Sequence, residues 1–344
     1  ALARRLPARR RLGGAGNRSV SADVQVVRVR FSVSLAAARQ NQGPGGQVMQ
    51  VGFAGRGRMG RPMARHLALA GHRVVGYDPA VPAGAAPPEL ADAGVEVVED
   101  GARLAETEVS VSMLPDAAAT EDLLLGERGI LTHCGPSHVH VERGTVGAAP
   151  VRALAEKAHA AGVALVDAPV SGSVSMAETA TITTMVGAEP EVFAAVRPLL
   201  SAMTRAQFHT GPVGSGSAAK LAVNLALASL NQAIAEALVV ARADGLDPEV
   251  FYDVLQASAV AAPYVSYKRE TFLRPESVDV AFPVSLLHKD VELGLELARE
   301  HHLDLPVATT VGRVLEDARR AGLADRDMAE VLRLLRDHNQ LEER

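Results

Sequence analysis

Val51-Gly-Phe-Ala-Gly55-Arg-Gly57-Arg-Met-Gly60 joins an apolar run, Gln50 to Phe53, to a helical stretch read over Met59 to Ala70. A strand running through GxGxxG into the start of a helix is the context in which this otherwise weak pattern marks a dinucleotide-binding turn. Gly55 permits the tight turn, Gly57 lets the backbone approach a pyrophosphate, and Gly60 lets the helix pack closely on the strand. The helix start adds unpaired N–H groups for the anion. Gly55, Gly57, Arg58, Met59 and Gly60 are therefore read as cofactor-binding.

Working outward, short β-rich runs alternate with helical stretches from Met49 to about Thr210. The strands are placed at Gln50 to Phe53, Arg73 to Tyr77, Glu108 to Met113, His138 to Glu142, Ala164 to Asp167, Thr181 to Val186 and Ala206 to His209, with a further helix over Ala149 to Ala161. That alternation builds a parallel sheet with helices on both faces. Asp78 closes the second strand, 21 residues beyond Gly57, where a carboxylate accepts hydrogen bonds from ribose hydroxyls. A 2′-phosphate would meet like charge there, so NAD is expected. NADP is not excluded, because Arg56 and Arg58 lie within reach of a phosphate.

Beyond Gly211 the strand signal ends, and Ser217 to Ala243 reads as one helix, apolar nearly all round and hence expected to be buried on every side. The rest, to Leu341, is helical with breaks at Gly245-Leu-Asp-Pro248, Pro263, Pro275, Pro283 and Pro306. The expected class is α/β: a doubly wound parallel sheet of the Rossmann type over 49–210, then an all-α domain over 211–341 for substrate and oligomer contacts. A homodimer or homotetramer is expected, since a helix apolar all round needs more cover than a small domain gives.

The first 48 residues carry nine Arg and one acid, Asp23, for +8, which leaves −13 in the remainder. They read as a disordered extension, either upstream of a functional start at Met49 or similar to an organellar transit peptide. The location expected is cytoplasmic, or a mitochondrial or plastid matrix if the transit reading holds. Three per cent aromatics, no Trp and a net charge of −5 give no footprint for nucleic acid. Leu221 to Ala241 contains Asn224, Asn231, Gln232 and Glu236 and is not expected to cross a membrane. One cysteine, Cys134, permits no internal disulfide, and the histidines at 133, 138, 140, 209, 288, 301 and 302 show neither metal spacing nor pairing with Ser or Asp as in a hydrolase triad.

Gly211-Pro-Val-Gly214-Ser-Gly216-Ser-Ala-Ala-Lys220-Leu-Ala-Val-Asn224 sets Lys220 and Asn224 four apart, on one helix face. Lysine is scarce, four against 31 Arg, so composition does not explain an amine here. Unlike a guanidinium, an amine loses its proton near neutral pH when desolvated.

Together these segments resemble the β-hydroxyacid dehydrogenase family, which includes 3-hydroxyisobutyrate dehydrogenases and, more distantly, 6-phosphogluconate dehydrogenase. The resemblance runs from about Met49 to the end of the chain. Besides the Gly55 turn it rests on Met113-Leu114-Pro115, Asp167-Ala-Pro-Val-Ser171-Gly172-Ser173, the Gly211 to Asn224 segment, Ala235-Glu236-Ala237 with Gly245-Leu-Asp-Pro248, and Lys289-Asp290. It implies that Ser171 and Gly172, with Ser173, hold the substrate carboxylate, that Lys220 is the acid/base and that Asn224 orients the reacting oxygen. It also implies that Thr145 and Leu114 border the nicotinamide, that Met113 and Pro115 bind the cofactor with them, and that Lys289 projects into the cleft near substrate or cofactor. Ser173 stands where the family usually has Gly, and Gly144 where it commonly has Ser, which leaves the substrate open.

The function expected is hydride transfer between NAD and a small β-hydroxy acid of the 3-hydroxyisobutyrate type. Two other readings stand beside it: an NADPH-linked reductase of glyoxylate, succinic or tartronate semialdehyde using the same Lys220, and a dinucleotide-binding regulator without turnover. The pair Lys220 and Asn224, which a regulator is free to lose, speaks against the last.

Overall fold

The computed structural model describes residues 48–80 and 87–341. The extension expected at the N-terminus therefore lies, apart from Val48, outside the described residues. Elements run β1 (Gln50–Ala54), α1 (Gly60–Leu69), β2 (Arg73–Tyr77), α2 (Pro88–Asp92), β3 (Glu96–Val97), β4 (Val109–Ser112), α3 (Ala117–Leu125), α4 (Ile130–His133), β5 (Val139–Glu142), α5 (Ala148–Ala160), β6 (Ala164–Asp167), β7 (Val170–Ser171), α6 (Val174–Glu178), β8 (Thr183–Gly187), α7 (Pro190–Met203) and β9 (Ala206–Gly211). Their order across the sheet is β3-β2-β1-β4-β5-β6-β8-β7, with β9 on β8. The stretch from β3 to β6 is parallel and has the doubly wound order, whose direction reverses between β1 and β4. Ligands in such sheets bind beyond the carboxyl ends of the strands at that reversal, so Gly55 and Met113 flank the expected crevice.

The sheet is not parallel throughout, as the alternation pattern predicts. β8 runs antiparallel to β6 and β7, and β9 is parallel to β8. No helix intervenes between β6 and β7, only Ala168 and Pro169, and this direct link into a two-residue strand is too short to show in sequence periodicity. It places Ser171 against Thr183. β4, β5 and β6 bury both faces, one under the core that holds Met63, Leu67 and Leu199, the other under α5.

Helices alone follow: α8 (Ser215–Ala243), α9 (Pro248–Ala257), α10 (Pro263–Tyr267), α11 (Arg269–Leu273), α12 (Val284–Glu300), α13 (Pro306–Ala318) and α14 (Val331–His338). Prolines read as breaks open the next helices instead: Pro248, Pro263 and Pro306 occupy first-turn positions, where the missing N–H costs nothing. Asp247 caps α9 by accepting from Glu249 N and Val250 N at 2.9 and 3.0 Å. The 29-residue α8 packs along α12, α13 and α14. At Gly216 a Cβ would lie 2.6 Å from the carbonyls of Asp167 and Met185, so only glycine lets the helix start this close to the sheet.

Contrary to the expectation of burial on every side, α8 leaves one apolar stripe open. Val223 is 44% and Val240 70% exposed, with Ala226 and Ala233 exposed between them. Methyl-rich residues all round a helix look alike in sequence whether or not a neighbour covers them. By length and composition α8 could cross a bilayer, but its buried Asn231 donates to Met328 O at 3.0 Å and accepts from Tyr264 Oη at 2.6 Å.

The helical domain is also held by a buried ion pair. Lys268 Nζ donates to both oxygens of Asp327 at 2.6 and 2.7 Å, and that carboxylate also accepts from the N–H groups of Ala281, Phe282 and Ala329. Lys268 is 1% exposed. Asp327→Ala strands this cation and is expected to cost about 3–5 kcal/mol. Chemical denaturation followed by circular dichroism checks this; a loss under about 1 kcal/mol would mean that water reaches Lys268.

Candidate active site

At the cofactor end, Gly55 has φ +94°, and a Cβ there would sit 2.3 Å from Met113 O. A Cβ on Gly60 would lie 1.9 Å from Gly55 O, whereas one on Gly57 would meet nothing within 4 Å among the described residues. The turn is thus closed on the protein side by Gly55 and Gly60 and open at Gly57, the shape a bound pyrophosphate needs. Asp78, at the end of β2, accepts from Arg56 N at 2.6 Å and Ala80 N at 2.9 Å, which fixes its carboxylate beside the turn. Its neighbours Tyr77 and Pro79, with Gly101, Asp122, Leu123 and Arg128, line a cleft of about 290 Å³. Arg58 turns the other way, its Nη1 donating to Val280 O. These residues fit a dinucleotide.

The second group of expected site residues is built on the first turns of α8. Asp167, the last residue of β6, accepts from Gly214 N (3.0 Å), Ser217 N (2.8 Å) and Ser217 Oγ (2.7 Å), so a buried carboxylate pins the helix start to the sheet. Burial outweighs those hydrogen bonds and raises its pKa to about 6. One turn on, Lys220 Nζ donates to Asn224 Oδ1 at 3.0 Å, and Asn224 Nδ2 donates to Asp290 Oδ2 at 2.5 Å. Asp290 only accepts when ionised, so it dictates which end of the Asn224 amide faces Lys220. Desolvation lowers the Lys220 pKa; Asp290 opposes the shift and Lys289 adds to it.

Lys289 Nζ lies 3.1 Å from Asp290 Oδ1 and donates to Thr145 O at 2.6 Å and Pro115 O at 3.1 Å. The ammonium ties α12 to the loops after β4 and β5, which carry Leu114, Pro115 and Thr145. Ser171 is half-buried on β7, and Gly172, exposed with φ +145°, packs over Ile182 and Met176. Ser173 Oγ caps α6 by accepting from Met176 N at 3.3 Å and pairs with Ser175 Oγ at 2.7 Å, so its hydroxyl is engaged locally. Asp290 is the residue that sequence reasoning passed over as a ligand-side group. Its signal was the Lys289-Asp290 pair itself, at helical spacing that turns the two side chains differently.

Under the crevice lies a hydrogen-bonded ladder that histidine spacing alone did not announce. His138 Nδ1 donates to Thr107 O (2.9 Å), Ser110 Oγ bridges His138 Nε2 (2.7 Å) and His140 Nδ1 (2.8 Å), and Ser112 Oγ bridges His140 Nε2 (2.9 Å) and Glu142 Oε2 (2.5 Å). Burial lowers the His138 pKa to about 4, so its Nε2 accepts from Ser110. Histidines therefore do pair with serines here, but as a ladder buried to 4% exposure or less and not in the arrangement of a hydrolase triad. Among the described residues no His/Cys/Asp/Glu cluster suits a metal.

The geometry defines a dinucleotide-dependent oxidoreductase with an amine beside the cofactor crevice. Residues 50–211 match the family described as the NAD binding domain of 6-phosphogluconate dehydrogenase, and residues 214–335 that described as NAD-binding of NADP-dependent 3-hydroxyisobutyrate dehydrogenase. The chain is 32% identical to 2-(hydroxymethyl)glutarate dehydrogenase of Eubacterium barkeri, over 83% of this chain and 94% of that protein. It is 33% identical to 3-hydroxyisobutyrate dehydrogenase of Pseudomonas aeruginosa, over 83% of this chain and 98% of that one. The structure of the Mycobacterium tuberculosis 3-hydroxyisobutyrate dehydrogenase with L-serine superposes with a TM-score of 0.74 at 28% identity, covering 84% of this chain and all of that one. The chain belongs to the β-hydroxyacid dehydrogenase family and is an NAD(P)-dependent hydroxyacid oxidoreductase.

An amine accepts a proton only in its neutral form, so with Lys220 as the base oxidation is expected to rise with pH through its lowered pKa. Asp290→Asn removes a charge that favours the ammonium and is expected to move that limb down by about one pH unit. Lys289→Met removes a charge that disfavours it and is expected to move the limb up. Limbs that stay put, or move together, would show that the limb does not report Lys220.

Proposed function

We propose that the protein oxidises a small β-hydroxy acid of the 3-hydroxyisobutyrate type with NAD, Lys220 serving as the acid/base. The observation that carries this is the chain Lys220–Asn224–Asp290, which holds the amine in one orientation five residues past the start of α8. A bound nicotinamide supplies the hydride acceptor at the carbinol carbon. Lys220 takes the hydroxyl proton during oxidation and, as ammonium, returns it in reduction. Asn224, its amide set by Asp290, orients the reacting oxygen, and Ser171 with the N–H groups near Gly172 receives the carboxylate. Lys289 keeps Thr145 and Pro115 in place by holding their carbonyls.

Support for NAD comes from Asp78, anchored by two backbone N–H groups and unable to turn away from a 2′-phosphate. The exposed stripe of α8 supports a homodimer or homotetramer in which a second copy covers Val223 and Val240.

Lys220→Ala is expected to leave NAD affinity, read by fluorescence titration, near normal while turnover falls by about two to four orders of magnitude. Near-normal turnover would overturn the assignment. In steady-state assays Asp78→Ala is expected to narrow the preference for NAD over NADP; an unchanged ratio would show that Asp78 does not read the ribose.

A further inference from the structure

Arg143 directly follows Glu142 at the carboxyl end of β5 and is 0% exposed, yet none of its three guanidinium nitrogens has a hydrogen-bond partner among the described residues. A buried arginine with unpaired donors is costly, and Glu142 answers its charge without reaching its donors. Burial lowers its pKa only to about 10, so the cation persists at neutral pH.

Backbone ladder bonds fix its place. Met113 N donates to Ala54 O, Arg143 N to Ser112 O and Ala168 N to Glu142 O, at 2.9, 2.8 and 2.7 Å. Gly55, Met113, Arg143 and Ala168 therefore form one row along the carboxyl edge of the sheet. Alternation turns Arg143 away from the Ser112–Glu142 ladder, onto the face that carries Val139 and Val141. Neighbouring strands are about 5 Å apart, so Arg143 stands two strands from the pyrophosphate turn at Gly55 but one from Ala168, which leads to Ser171. The partly buried side chains packed on this core include Met59, Met113 and Met176. Unbranched thioethers move aside more readily than the branched residues around them.

We infer that Arg143 receives a second carboxylate of the substrate, so that this dehydrogenase acts on hydroxy acids bearing two carboxylates, one held at Ser171 and Gly172 and the other at Arg143. A planar carboxylate matches the guanidinium fork with two parallel hydrogen bonds, and the pyrophosphate already has its own N–H groups at the start of α1. The inference rests on the hydroxyacid reading above and narrows its substrate class.

The test compares 2-(hydroxymethyl)glutarate with 3-hydroxyisobutyrate, on the full-length chain and on Arg143→Met, which fills a similar buried volume without charge. The wild-type protein is expected to favour the dicarboxylate, and Arg143→Met to lower the ratio of the two kcat/KM values at least a hundredfold, mainly through KM. Unreactive glutarate in the presence of NADH is expected to raise the thermal midpoint of the wild type and not of Arg143→Met, with butyrate raising neither. Equal loss on both substrates, or a glutarate shift that survives in Arg143→Met, would overturn the inference. If neither acid is oxidised while the glutarate shift still depends on Arg143, the anion site stands and the proposed reaction falls.

Discussion

A half-buried primary amine oriented by a single amide is the constraint around which the site is arranged. Lys220 loses hydration on burial, and that loss makes its neutral form accessible. Left alone, such an amine would swing among rotamers. Asn224 fixes it, and Asp290 in turn fixes Asn224, so orientation passes from α12 to α8 through two hydrogen bonds. The arrangement balances two demands: the carboxylate that orients the amide also favours the ammonium, and Lys289 beside that carboxylate offsets part of its charge. Both charges sit on α12, so sliding this helix along α8 would disturb orientation and proton affinity together.

The sheet supplies the other half of the geometry. Its carboxyl edge presents the Gly55 turn, the Met113 loop, the end of β5 and the Ala168–Ser171 link side by side, because the strand order reverses between β1 and β4. Asp167 then anchors α8 to that edge with three hydrogen bonds, and Gly216 permits the close approach. Lys289 crosses in the opposite direction, from α12 to the carbonyls of Thr145 and Pro115. Fixing helix start and clasp at the same edge sets where Lys220 stands with respect to the cofactor turn.

Much of this was legible in the residues. The Gly55 turn, the Arg73–Tyr77 and Ala164–Asp167 strands and the long α8 follow from periodicity and glycine spacing, which are local signals. β7 was not legible, because two residues have no period, nor was the reversal of β8, which depends on a turn rather than on composition. The open stripe of α8 escaped because covered and uncovered alanines and valines read alike. At the site, Lys220 and Asn224 share a helix face and were readable as a pair. Asp290 is 66 residues from Asn224 and meets it only through tertiary packing, and the serine–histidine ladder needs the β4–β5 register to exist. Arg143 looked like one of many arginines until the fold buried it.

The lowered proton affinity of Lys220 is open to direct titration. With four lysines in the chain, selective 13Cε labelling gives a spectrum simple enough to titrate each ammonium separately, the Lys220 signal being identified by its loss in Lys220→Arg. This signal is expected to titrate clearly below the ordinary lysine value of 10.5. A Lys220 signal that titrates at or above that value would contradict it.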